Sequence, residues 1–312
     1  MSRKVYLYIN PILFKYGFPN HPLNVERYQE FLNRFDRIRD EYIDCIVEVN
    51  EFRCSESYLK LFHTKGYIEY VKRLSELGSG FLDYGDTPAY KGVYDVSLVS
   101  VCATRDAVLK TIDGGVAVNL AGGWHHAFRD RASGFCVFND IGVAIESIRD
   151  VALNILYIDI DAHHGDGIYY SYESDPNILI FDIHESPRFL FPGTGYSYET
   201  GKGEAVGTKV NIEVMPGADG NILLNEVRNI DEFITEKEFG YVIIQAGTDG
   251  ISGDPLTHLD YDIDSFVKAV KYLVSIAFDR GVGVTLLGGG GYQPKVFGEV
   301  WIRIITEICG ML

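Results

Sequence analysis

The 312 residues include 28 basic and 44 acidic side chains, for a formal charge of −16, and 46% of them are hydrophobic. A chain of this length and composition can bury a core without disulfides or structural metal, which excludes wholesale disorder. Its acidity excludes the basic surface that a nucleic-acid backbone requires and favours cationic ligands. Five scattered cysteines, Cys45, Cys54, Cys102, Cys136 and Cys309, are odd in number and form no Cys-x-x-Cys. That pattern fits a reducing compartment rather than a disulfide framework. The opening MSRKVYLYINPILF lacks the apolar core and cleavage site of a signal peptide. The apolar stretch at 281–294, GVGVTLLGGGGYQP, is too short and too glycine-rich to span a bilayer. The expectation is a soluble cytoplasmic protein with no membrane contact.

The predicted elements alternate. Strand-like apolar runs occur at VYLYI (5–9), CIVEV (45–49), VAVNL (116–120) and NILYIDI (154–160). They continue at ILIFDI (178–183), KVNIEV (209–214), YVIIQA (241–246) and VGVTLLG (282–288). Several are apolar on both faces, as in a sheet covered on both sides. Between them lie helical patterns, clearest over 262–281, where Ile263, Phe266, Val267, Val270, Leu273, Val274, Ala277 and Phe278 keep helical spacing. Asp262 is the expected N-cap and Gly281 the expected stop. Strand alternating with helix implies crossovers and a mostly parallel α/β sheet. No linker, repeat or low-complexity tract divides the chain, so residues 1–312 read as one domain. In open α/β sheets the ligand sits beyond the carboxyl ends of the strands.

Chemistry concentrates at those ends. Five of the eight histidines, His125, His126, His163, His164 and His184, lie in segments that follow predicted strands. In DIDAHHGDG (159–167) the period-two spacing puts Asp159, Asp161 and His163 on one face. Asp161 and His163 can converge on one cation, and Asp249 in QAGTDGISGDP offers a third ligand. Three protein ligands with a vacant position are the pattern of a catalytic metal site. Two carboxylates cancel a divalent charge, so water bound there is less acidic than at a three-histidine site and needs a base. The tandem His125–His126 suits that task, with Asp159 and Asp166 available to orient it. Tyr292, after four glycines in LGGGGYQP, could donate to a developing oxyanion. GYSYETGKG (195–203) is no phosphate loop, since Gly203 stands where Ser or Thr should hold magnesium.

These residues resemble one family, the zinc-dependent histone deacetylases with their bacterial relatives of the acetoin-utilisation type. The resemblance rests on GGWHHAFRDRASGFCVFND, YIDIDAHHGDG, FPGTG, GTDGISGDP and LGGGGY, in family order, and runs from residue 16 to LGGGGY. It implies an arginase-like three-layer α/β/α fold around an eight-stranded, mostly parallel sheet. Asp161, His163 and Asp249 match the family's metal ligands, for zinc or alternatively ferrous iron. His125 and His126 match the catalytic pair, with Asp159 behind the first and Asp166 behind the second, and Tyr292 matches the carbonyl-polarising tyrosine. Gly134, Phe135 and Phe191 match the acyl-lysine tunnel, and Asp86 the rim aspartate that grips the substrate backbone. A potassium ion is also implied, at carbonyls of Asp159, Asp161 and His163 and at Asp182 and Ile183. Serine is frequent in the family where this chain has Asp182; the added acid either tightens that ion or changes its coordination. The arginase-type ureohydrolases are the nearest alternative, but no acid stands two residues after Asp249, which favours a single metal.

The implied reaction is amide hydrolysis of N-ε-acetyl-lysine in proteins or peptides. A small acylated amine such as an acetylpolyamine is the second reading, and a non-catalytic acyl-lysine-binding scaffold the third. Nothing in the sequence specifies an oligomeric state.

Overall fold

Each of the eight apolar runs forms a strand in the computed structural model, which describes residues 4–312. Residues 1–3, the head of the MSRKVYLYINPILF stretch, lie outside the described residues. The strands are β1 (Val5–Tyr8), β2 (Ile46–Val49), β3 (Gly115–Asn119), β4 (Ile155–Asp159), β5 (Ile178–Glu185), β6 (Lys209–Val214), β7 (Tyr241–Gln245) and β8 (Gly283–Leu287). They build one sheet in the order β2-β1-β3-β8-β7-β4-β5-β6. Every pairing is parallel, so the mostly parallel sheet expected from the alternation is wholly parallel among the described residues.

Burial explains why the runs were uninterrupted. Every residue of β3, β4, β5, β7 and β8 is buried. Successive side chains point to opposite faces, so burial of all of them requires a layer on each side. The helix Ile263–Arg280 supplies part of that cover with Phe266, Val270, Leu273 and Ala277, all fully buried. Its ends are those expected. Asp262 Oδ1 accepts from Ser265 N at 2.8 Å, and Gly281 closes the helix at φ 69°.

The strand order matters most for function. The strands β3, β8, β7 and β4 are adjacent, although they come from four separate parts of the chain. Their carboxyl ends therefore deliver His125 and His126, Tyr292, Asp249, and Asp161 with His163 to one place.

The cysteine expectation is corrected. Cys45 pairs with Cys309 and Cys54 with Cys102, which leaves Cys136 free and buried. The partners stand 264 and 48 residues apart, so local spacing carried no sign of them. Cys45 directly precedes β2, and Cys309 is the last residue of the helix Pro294–Cys309. Among the described residues, no helix is long and apolar enough to cross a membrane.

One buried histidine away from the strand ends gives the fold a pH dependence. His63 Nε2 accepts from Asn139 N at 2.9 Å, and burial holds its pKa down from 6.5 to about 3. Its contribution is fully present above the unfolded value of 6.5 and is lost as pH falls toward 3, because only the unfolded chain takes up the proton. Urea midpoints are expected to fall steadily between those limits, and less steeply in His63→Gln; parallel slopes would remove His63 from the account.

Candidate active site

The segment after β3 is held from below before it presents its histidines. Buried Asp140 accepts from Gly123 N at 3.0 Å, Trp124 N at 2.8 Å and Thr104 Oγ1 at 2.6 Å. Gly123 has φ +96°, and a Cβ there would meet Gly289 N at 2.7 Å, so glycine is what lets the β3 and β8 loops touch. His125 and His126 follow, both buried.

Each histidine is oriented by a carboxylate. His125 Nδ1 lies 2.7 Å from Asp159 Oδ2, and His126 Nδ1 lies 2.7 Å from Asp166 Oδ1. A carboxylate fixes the proton on each Nδ1 and turns both Nε2 atoms inward, where they stand 3.0 Å apart. Two facing nitrogens can share one additional proton between them. Burial, and then the neighbouring His125, lower the His126 pKa to about 4, so this imidazole is neutral and free to accept at neutral pH. Tyr157 also donates to Asp159 Oδ2, a contact the sequence reading missed.

Asp161, His163 and Asp249 are all buried, with one donor atom from each within 4.8 Å of the others. His163 Nδ1 sits 3.1 Å from Asp161 Oδ1 and 3.0 Å from Asp249 Oδ2. The remaining carboxylate oxygens are fixed by the protein. Asp161 Oδ2 accepts from Gln245 Nε2 at 2.7 Å and Gly290 N at 2.8 Å, and Asp249 Oδ1 from Ala162 N at 2.9 Å. Burial opposes charge on His163, yet the two carboxylates outweigh it and raise the pKa to about 10. Burial and the Asp161 carboxylate push Asp249 up to about 7. Two buried carboxylates and one imidazole thus converge, and the donor set fits a divalent metal. The ureohydrolase alternative finds no support in this cluster, which contains three ligands and no more among the described residues.

Of this cluster His163 reaches a cavity of about 210 Å³, lined also by Asp86, His126, Gly134, Phe135, Leu190, Phe191, Leu256 and Tyr292. Phe191 stands edge-on to His126 at 5.0 Å, and Phe135 edge-on to Tyr292 at 5.9 Å. Gly134 has φ +50°, and a Cβ there would lie 2.5 Å from His126 and 2.9 Å from Phe191. Phe135 itself adopts φ 68°, a conformation costly for a non-glycine residue. It is held by Tyr16 Oη, which donates to Phe135 O at 3.0 Å, and by Thr87 Oγ1, which accepts from Phe135 N at 3.1 Å. Asp86 is exposed on the rim. Burial, and then Asp249 and Asp161, raise the Tyr292 phenol well above its ordinary range, so it remains a donor.

Asp182 and Ile183 lie on β5, with Asp182 in register with Asp159. Both Asp182 oxygens are engaged, Oδ1 with His184 Nδ1 at 2.6 Å and Oδ2 with Gly165 N at 2.9 Å. His184 Nε2 faces Gly195 O at 2.8 Å. The Asp182 carboxylate therefore pairs with a buried imidazole. The sequence reading gave no role to Gln245 and Asp254, although both lie within QAGTDGISGDP, nor to Leu190 and Leu256, which adjoin FPGTG and GTDGISGDP.

Comparison with known proteins identifies the family. The histone deacetylase domain model matches residues 21–308. The acetoin utilization protein AcuC of Bacillus subtilis is 34% identical over 328 residues, spanning 100% of this chain and 83% of that protein. Histone deacetylase 8 of Xenopus laevis is 31% identical, spanning 80% of this chain and 78% of that protein. The crystal structure of a histone deacetylase homolog from Aquifex aeolicus superimposes with a TM-score of 0.85 at 30% identity, covering 99% of this chain and 84% of that one. A structure of such a homolog complexed with SAHA matches equally well. The chain belongs to the histone deacetylase family and is a hydrolase of its deacetylase type.

Proposed function

We propose that this protein hydrolyses the amide of N-ε-acetyl-lysine in proteins or peptides. The observation that carries the reading is the convergence of the Asp161–His163–Asp249 cluster, two His–Asp pairs and Tyr292 on one narrow cavity with aromatic walls. Phe135 and Phe191 flank the apolar lysyl stem, Gly134 leaves it room, and Asp86 on the rim accepts from the substrate backbone. The SAHA complex of the homolog supports reading the cavity as a slot for an acylated amine.

Asp161, His163 and Asp249 hold zinc or ferrous iron, which when bound polarises the acyl carbonyl and acidifies water. His126 accepts a proton at Nε2 from the attacking water, and Asp166 stabilises the resulting charge at Nδ1. His125, paired with Asp159, supplies orientation and shares the proton that reaches the leaving amine. Tyr292 donates its phenolic hydrogen to the developing oxyanion. A potassium ion beside this site would be held by main-chain carbonyls of Asp159, Asp161 and His163 and by groups at Asp182 and Ile183, although the Asp182 side chain itself is engaged by His184 and Gly165. Residues 1–312 act as one catalytic domain. We place it in the cytoplasm, as its bacterial likenesses suggest; paired cysteines inside cells are a known feature of hyperthermophiles.

The test is deacetylation of an acetyl-lysine peptide beside N-acetylated polyamines, with metal content measured. Turnover of the peptide is expected, abolished by a chelator and restored by zinc or ferrous ion. Preference for the polyamines would move the assignment to small acylated amines. Peptide binding without turnover in metal-replete protein would make it a scaffold.

A further inference from the structure

The glycine run that carries Tyr292 poses a mechanical problem. Gly289 and Gly291 both have positive φ, at 54° and 125°, and a glycine-rich backbone has little stiffness of its own. A phenol that must meet an oxyanion within a few tenths of an ångström needs an outside anchor.

The structure provides one at Tyr292 itself. Asp254, buried at 8% exposure, accepts from Tyr292 N at 2.9 Å through Oδ2. Its other oxygen, Oδ1, accepts from Leu256 N at 2.9 Å. One carboxylate therefore joins the β8 loop to the loop after β7, and fixes two residues of the cavity wall. The loop after β7 is pinned separately at its far end. Buried Glu185 accepts from His258 N at 2.8 Å and stands 2.7 Å from His258 Nδ1. The His258 side chain is 60% exposed and makes no contact with Tyr292 in that arrangement.

We infer that Asp254 is the positioning residue for Tyr292, holding the phenol where the oxyanion forms, while the Glu185–His258 pair holds only the loop. The inference rests on the deacetylase reading above. Asp254→Asn separates the two bonds. Asparagine offers one acceptor oxygen for the two N–H groups, so whichever way the amide turns its NH₂ confronts either the Tyr292 or the Leu256 N–H and the tie between the loops is broken, since two donors cannot pair.

The experiment compares wild type, Asp254→Asn, Tyr292→Phe, the double variant and His258→Ala on an acetyl-lysine peptide, with a melting curve for each. Asp254→Asn is expected to lower kcat about tenfold with a smaller change in KM, the signature of an interaction made in the transition state. In the Tyr292→Phe background the same change should cost less than about twofold, because residues acting through one another are not additive. His258→Ala should hold kcat within about twofold of wild type. An additive double variant would overturn the inference, as would an equal kcat loss in His258→Ala, since loop stiffness alone would then account for the effect. Wild type without any turnover would overturn the deacetylase reading first, and this inference with it.

Discussion

Tyr292→Phe is expected to leave a folded protein whose turnover of an acetyl-lysine peptide is about 10²–10³-fold lower, the usual cost of one oxyanion donor. The ring stays, so the edge-on contact with Phe135 at 5.9 Å and the backbone bond to Asp254 survive. Only the hydroxyl is lost. Its partner develops charge during reaction, so kcat should fall while KM changes little. Steady-state kinetics with matched melting curves check this. Near-wild-type turnover would remove Tyr292 from the chemistry and leave the divalent ion and the histidine pair to carry it.

Opening the Cys45–Cys309 bond should be the most damaging change to stability. The bond spans 264 residues, and on chain-entropy grounds a closed loop of that size removes about 5.6 kcal/mol of unfolded-state freedom. At about 2.1 cal/mol/K of unfolding entropy per residue, that corresponds to a loss of about 8.5 °C in Tm. Cys309→Ser tests the bond without touching the active-site cavity. Thiol titration of unfolded protein supplies an independent check. With two of these bonds and five cysteines, one thiol, Cys136, should react before reduction and five after it. Five reactive thiols in unreduced protein would show that neither pair forms.

The sheet was legible because full burial leaves a plain mark. A strand covered on both faces tolerates no polar alternation, so the runs of β3, β4, β5, β7 and β8 stood out most, while β1, β2 and β6 keep partly exposed positions; each run became a strand within a residue or two of its expected ends. The helix Ile263–Arg280 was equally plain, with Asp262 and Gly281 at its ends. The candidate site could be located because most of its residues sit in contiguous motifs directly after strands. The order in which β8 and β7 slip between β3 and β4 was not legible, since nothing local encodes which strands become neighbours. Isolated residues stayed hidden for the same reason. Gln245 looks like the polar end of an apolar run until its amide is found 2.7 Å from Asp161. Asp254 looks like a turn acid until Tyr292, 38 residues on, donates to it. The cysteine pairs had no local signature at all, and the sequence reading went wrong there.

The Cys45–Cys309 bond also alters the topology of the molecule. Between those two residues the polypeptide is a closed ring, with β1 and the helix Glu26–Ile38 outside it on one side and residues 310–312 on the other. A single protease nick anywhere in the ring, for example in the exposed turn at Tyr84–Gly85, releases no fragment until a reductant is added. Clipped protein would therefore keep its intact mass, plus one water, on a non-reducing measurement, and β2 would remain covalently tied to the final helix.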